Sequence, residues 1–173
     1  VVETVQKDHI CHTVSAPADI PAATMKKAKK IAVDSVKAVK GFGIYGIEFF
    51  LTRSGKLLVN EMAPRPHNSG HYTIEGCVTS QFENHVRAVL GLPLGSASMV
   101  NPYAVMINLL GKTSGSGTIK NYSAALSDPN VHLHLYGKKN SRKGRKMGHV
   151  TITGDNAQKI LAAAKKAEKR IVI

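Results

Sequence analysis

Glu48 and Glu61 are the first residues whose placement implies chemistry. Glu48 sits in the middle of the apolar run IYGIEFFL, and Glu61 lies near the end of LLVNEM. A carboxylate in a buried strand is unfavourable unless it is paired or holds a metal ion. The two runs are joined by RSGK, a short loop containing Gly that reads as the turn of an antiparallel hairpin. A turn centred on Ser54–Gly55 brings Glu48 near Glu61. Facing carboxylates with no Lys or Arg in either strand interior suit a hard cation such as Mg²⁺, which takes oxygen ligands and brings phosphates with it. The alternative is a pair of edge or surface glutamates on an ordinary hairpin.

The next segment, APRPHNSGH (63–71), holds two prolines and a glycine and cannot be the interior of a helix or strand. It places Arg65, His67, Asn68, Ser69 and His71 within seven residues. Arg offers a planar fork for carboxylate or phosphate. His can exchange a proton near neutral pH, and Asn and Ser add directional donors and acceptors. A stiff polar loop directly after a candidate metal ligand is how active sites are built on loops. The alternative is a surface turn with incidental polar groups.

A third concentration of chemistry is basic. The chain carries a net charge of +13, from 24 Lys and Arg against 11 Asp and Glu. Residues 112–173 alone hold 13 basic and 3 acidic side chains, and six of the nine residues at 138–146 are Lys or Arg. Such a tail points to nucleic acid, to a phosphorylated small molecule, or to a solvated face. Aromatic residues are only 5% and Trp is absent, which leaves few platforms for stacking bases. A non-enzymatic module binding RNA or another polyanion is therefore the second reading. Cys11 and Cys77 are too few and too far apart for a disulfide framework or a metal motif. They read as free thiols in a reducing cytoplasm. No apolar run approaches the roughly 18 residues of a membrane span, and VVETVQKDHI is not a secretory leader. With no initiator Met, a missing N-terminal portion is expected.

The elements that must hold these groups follow from periodicity. Residues 1–6 and 10–16 read as short β-branched strands. Residues 22–40 carry apolar positions at 25, 28, 32, 33, 36 and 39 with lysines opposite, a helical stripe ended by Gly41 and Gly43. Strands at 44–52 and 57–62 form the hairpin. A helix at 79–90, capped by Thr79 or Ser80, stops at Gly91 and Pro93. Strands at 103–110, 131–136 and 147–153, a Gly/Ser-rich link at 111–118, a basic loop at 137–146 and a helix near 155–170 complete the chain. The class is α+β with antiparallel pairing prominent. GKTSGSG (111–117) lacks the spacing of a phosphate-binding loop and reads as a linker.

The stretch GIYGIEFFLTRSGKLLVNEMAPRPHNSGHYTIEGCVTSQFENHVRAVLGLPL (43–94) closely resembles the ATP-grasp enzymes that make 5-(carboxyamino)imidazole ribonucleotide in purine biosynthesis. These include the ATP-grasp half of fungal-type phosphoribosylaminoimidazole carboxylase. NEMAPRPHNSGH (60–71) is highly specific to that family, YGKKNSRKGRKMGH (136–149) resembles its second signature, and VVETVQKDHI resembles a strand bordering its nucleotide. The resemblance implies the C-terminal lobe of an ATP-grasp fold over residues 1–95, with a small β-rich subdomain at 96–173 bearing a basic phosphate-binding loop. It implies ATP and Mg²⁺ as cofactors, with Glu48 and Glu61 on the metal and Gln6, Asn60 and Glu61 toward the nucleotide. Arg65 and His67 are the implied catalytic residues, and Asn68 and Ser69 line the site of the aminoimidazole ring and of bicarbonate. Lys138, Arg142, Arg145 and Lys146 approach the ribose 5-phosphate. The implied partners are 5-aminoimidazole ribonucleotide, bicarbonate, the missing N-terminal part of the same enzyme and, in the full-length form, a second copy in a cytoplasmic homodimer. Neither nucleic acid nor membrane is implied. Two positions depart from the family: Gln6 stands where His is frequent, and Lys143 where Pro is frequent.

Overall fold

The computed structural model describes residues 1–173. In chain order the elements are β1 (Glu3–Lys7), β2 (Ile10–Ala16), α1 (Ala22–Ala38), β3 (Gly46–Leu51), β4 (Leu57–Ala63), a 3₁₀ turn (Asn68–Gly70), α2 (Thr73–Gly76), α3 (Gln81–Val89), β5 (Tyr103–Leu110), β6 (Gly115–Ser116), α4 (Tyr122–Ala125), β7 (His132–Leu135), β8 (Asn140–Ser141), β9 (Lys146–Gly154) and α5 (Ala157–Arg170). The mixture is α+β, and every strand pairing is antiparallel. The long elements stand close to their expected positions. The short ones, α2, α4, β6 and β8, are additions, because two to four residues hold too little periodicity to announce themselves. The link at 111–118 gains order from β6, which pairs with β8 in the basic loop. The first helix ends at Ala38 rather than 40, and Ile44 and Tyr45 precede the strand.

The core forms on one face of a five-stranded sheet ordered β1-β2-β5-β9-β7. Alternation along β5 sends Val105, Ile107 and Leu109 to that face, and along β9 it sends Val150 and Ile152. Ile160, Ala164 and Ala167 lie one helical turn apart on α5 and close over them, with Ile171 behind. Asn156 starts α5 by accepting from the Lys159 N–H, and Lys169 and Arg170 in its last turn oppose the helix dipole favourably. The sheet draws β1 and β2 from one side of residue 95 and β5, β7 and β9 from the other.

The opposite face of the sheet carries polar residues, and these position the loop. Asn108 on β5, His149 on β9 and His134 on β7 lie in one cross-strand row, since Asn108 pairs with His149 and His149 with His134. The segment lying on this row presents Asn68, His71 and Glu75, spaced by roughly one helical turn. Each meets its counterpart. Asn68 and Asn108 exchange amide hydrogen bonds at 2.8 and 2.6 Å. The rings of His71 and His149 lie 5.2 Å apart, and His134 donates to Glu75 at 2.6 Å. His134 also stacks on His149 at 4.5 Å. A helical turn of about 5.4 Å and a strand spacing of about 4.8 Å are close enough for three rungs to align.

By contrast, the β3–β4 hairpin and α1 lie open. Phe50 and Leu58 pair directly across the hairpin and are 60% and 41% exposed. Only Ala28 of the α1 stripe is buried, while Val33 and Val39 are exposed. The α1 lysines are the wet face expected of them.

Two outcomes follow. Apolar area of this extent drives association. Sedimentation velocity of the isolated chain should show concentration-dependent self-association, weakened in Phe50→Lys/Leu58→Lys; a monomer at every concentration contradicts this. The seam also makes stability depend on pH. Burial, with Lys146, His67 and His134 adding to it, pushes His71 down to about 4, and burial with His134 and His71 pushes His149 to about 3. Both are therefore neutral in the fold, while in the unfolded chain they take up protons below about pH 6.5. Stability is full above that value and falls as pH drops toward the folded values, by up to about 1.4 kcal/mol per pH unit for each proton. Tm should fall by roughly 5–10 °C between about pH 7.5 and about pH 5, less steeply in His149→Phe. A flat Tm over that range contradicts the assignment.

Candidate active site

The hairpin pairs Glu48 directly with Glu61. Below this pair the register shifts, because Phe49 pairs with Val59 and Asn60 has no partner. In a regular ladder Asn60 and Glu61 point to opposite faces; an extra residue relaxes that rule. The bulge lets the Asn60 side chain reach Glu48, whose Oε2 accepts from Asn60 Nδ2 at 3.2 Å. Carboxylate oxygens of Glu48 and Glu61 and a ring nitrogen of His67 all lie within 4.8 Å of one another. One expectation is corrected here. Glu48 is half-buried and Glu61 exposed, so burial of the strands does not force a cation on them. Register brings the carboxylates together.

His67 reaches this pair because β3 begins with a glycine. A Cβ on Gly46 would stand 2.5 Å from His67 Cβ. The loop is then held by Gln81, the first residue of α3, whose helix is capped by the Ser80 hydroxyl accepting from Glu83 N–H. Gln81 Oε1 accepts from His67 N at 2.9 Å, and its Nε2 donates to His67 O at 2.7 Å and to His71 Nδ1 at 2.9 Å. One side-chain amide thus fastens the loop backbone at both faces of His67. The Ser69 N–H points at His67 Nδ1 at 3.4 Å, which makes Nδ1 an acceptor and places the ring proton on Nε2. That N–H faces Glu48 Oε1 at 3.7 Å. Burial holds the His67 pKa below the ordinary range. The neutral ring thus turns its N–H side toward the Glu48 carboxylate, beyond hydrogen-bond distance. Arg65 is exposed, with only its neighbour Pro66 O as partner. Its remaining donors are open to an anion.

The basic loop is a second pole. Lys138 donates to Lys146 O at 2.6 Å and lies over the Tyr136 ring. Its pKa is lowered by burial first, then by Arg145, Lys146 and Arg142. These four cations are thus gathered in one place, though mutual repulsion disfavours it, and an anion would relieve that repulsion. Arg145 donates to Asn140 O, and Gly144 N–H to Gly111 O, which fixes the loop against the end of β5. Lys146 also acts on His67 and His71, so the basic pole faces the loop. Gln6 stands apart: it is exposed on β1, the outermost strand, without a side-chain bond to the carboxylates. Four residues of the site carry little local sign of their role: Gly46, Gln81, Asn108 and His149. Asn108 alone had a readable signal, a polar residue in the middle of YAVMINLL.

Comparison with known proteins bears on what these poles serve. Residues 1–82 match the family model of the ATP-grasp domain, and residues 104–163 match that of the phosphoribosylaminoimidazole carboxylase C-terminal domain. Phosphoribosylaminoimidazole carboxylase of Schizosaccharomyces pombe is 51% identical over 161 residues, which cover 90% of this chain and 29% of that protein. N5-carboxyaminoimidazole ribonucleotide synthase of Synechococcus elongatus is 46% identical, over 88% of this chain and 38% of that protein. The structure of N5-carboxyaminoimidazole synthase of Aspergillus clavatus in complex with ADP and 5-aminoimidazole ribonucleotide superposes with a TM-score of 0.89 at 40% identity, covering 97% of this chain and 46% of that one. The chain thus spans about a third of the length of these curated relatives and about half of that solved structure. Over nearly its whole length the chain is similar to the ATP-grasp phosphoribosylaminoimidazole carboxylases and N5-carboxyaminoimidazole ribonucleotide synthases, and its α+β fold is that of an ATP-grasp lobe.

Proposed function

We propose that the enzyme carrying this chain uses ATP and bicarbonate to carboxylate the amine of 5-aminoimidazole ribonucleotide through carboxyphosphate, a step of purine biosynthesis. The observation that carries the reading is the convergence of Glu48, Glu61 and His67 at the head of the loop NEMAPRPHNSGH. The donor set fits Mg²⁺: two carboxylates offer hard oxygens, while Asn60 holds Glu48 from behind and the His67 ring stands beside the pair. When bound, Mg²⁺ neutralises charge on the transferring phosphoryl group.

The chain's own residues supply the rest. Arg65 presents a guanidinium to the phosphoryl oxygens or to bicarbonate. Lys138, Arg142, Arg145 and Lys146 take the ribose 5-phosphate, which fixes the ribonucleotide at one end. Asn68 and Ser69, between the two poles, orient the imidazole ring and the nascent carboxylate. Gln6 serves the nucleotide side from the edge of the sheet. Bicarbonate is a poor electrophile, and carboxyphosphate releases CO₂ beside the amine only if water is excluded. The N-terminal part of the same enzyme would close over the open hairpin.

The variants Glu48→Gln and Glu61→Gln in the enzyme carrying this chain should each lower ribonucleotide-dependent ADP release by at least about 100-fold. Their Tm should be little changed, since neither carboxylate is buried. Turnover near the wild-type rate in both contradicts the metal assignment. Gly46→Ala should lower turnover by about 10-fold or more by displacing His67. Unchanged turnover would show that the close approach of β3 and the loop is incidental.

A further inference from the structure

Asn108 is 0% exposed, between Ile107 and Leu109 in the centre of β5. A buried amide is unfavourable unless its donors and acceptor are used. Both Asn108 donors are. Its Nδ2 donates to the Cys11 backbone carbonyl at 2.9 Å and to Asn68 Oδ1 at 2.6 Å, while its Oδ1 accepts from Asn68 Nδ2 at 2.8 Å. Met106, next on the same face, is equally buried and apolar. Packing at this face therefore does not require an amide.

The bonds have a direction. A backbone carbonyl only accepts, so Cys11 O admits the Asn108 amide with its nitrogen inward. That orientation then admits Asn68 in one way only, because turning the Asn68 amide over would set oxygen against oxygen and nitrogen against nitrogen. The polarity of the Asn68 side chain is thus set from the backbone of β2, through Asn108. Asn68 directs its second N–H toward the Tyr136 oxygen and keeps one lone pair on Oδ1 for anything bound between the two poles.

We propose that Asn108 is a positioning residue: it fixes the orientation of the Asn68 amide, and so of the acceptor oxygen that Asn68 offers to the ribonucleotide. This rests on the reading of the site given above. Asn108 touches no substrate and acts through Asn68.

The test is a double-mutant cycle in the enzyme carrying this chain. Asn108→Leu should lower kcat/KM for 5-aminoimidazole ribonucleotide by about 10-fold or more, with KM for ATP unchanged. Asn68→Ala/Asn108→Leu should be no worse than Asn68→Ala alone. Activity of Asn108→Leu equal to wild type, or losses that multiply in the double variant, overturn the proposal. Should the leucine fail to fold, Asn108→Ser carries the same cycle. A neutron crystal structure of the Asn108 variant, which tells amide nitrogen from oxygen, gives a readout that does not depend on activity. The Asn68 amide turned over or split between two orientations supports the proposal, and an Asn68 unchanged from wild type overturns it. Inactivity of the wild-type enzyme toward the ribonucleotide would count against the proposed reaction, and the position of Asn68 would still decide whether Asn108 orients it.

Discussion

One unpaired residue in a two-stranded ribbon sets the geometry of the site. Asn60 has no partner in the β3–β4 ladder, and the hairpin on either side of it is in different register. Without the bulge, alternation would send Asn60 and Glu61 to opposite faces. With it, Asn60, Glu61 and Glu48 share one side, and the carboxylate pair acquires its amide neighbour. Bulges bend and twist the strand that carries them. Here the bulge lies immediately before the loop that brings His67 back to Glu48.

The ribbon alone could not hold that geometry, since two strands with an open face are marginal in water. Its far end is tied to the well-packed sheet by the seam of Asn68, His71 and Glu75 against Asn108, His149 and His134. Gln81 adds two hydrogen bonds to the backbone of His67. A rigid core, closed by α5 on one face, thus supports a polar seam on the other, and the seam positions the loop. The four basic side chains enter from the same sheet, at the junction leading into β9. Loop-borne groups placed by a rigid scaffold meet the need for directed, preorganised charge.

Much of this was legible because it was local. The hairpin, its turn and the facing of Glu48 and Glu61 follow from two apolar runs and a short Gly-containing link. Helix α5 and strands β5 and β9 follow from periodicity. The family signature in 60–71 was equally plain. What was hidden is non-local. Glu48 looked buried because its strand is apolar, yet the hairpin lies open, and hydropathy cannot say which face is covered. Nothing within SQFEN announces that Gln81 clamps a loop more than ten residues earlier. The rows joining Asn108, His149 and His134 exist only after three strands pair. Even so, Asn108 repeats the signal that singled out Glu48: a polar residue in an apolar strand.

The claim on which the rest turns is that Glu48 and Glu61 form one divalent-cation site. Mn²⁺, which shares the preference of Mg²⁺ for oxygen ligands, reports it directly. Titrated into the ¹⁵N-labelled chain, it should broaden the amide signals around Gly46–Glu48, Asn60–Glu61 and His67 first, and this selectivity should vanish in Glu48→Gln/Glu61→Gln. Broadening centred on other acidic residues, or unchanged by removing the two carboxylates, would contradict the account.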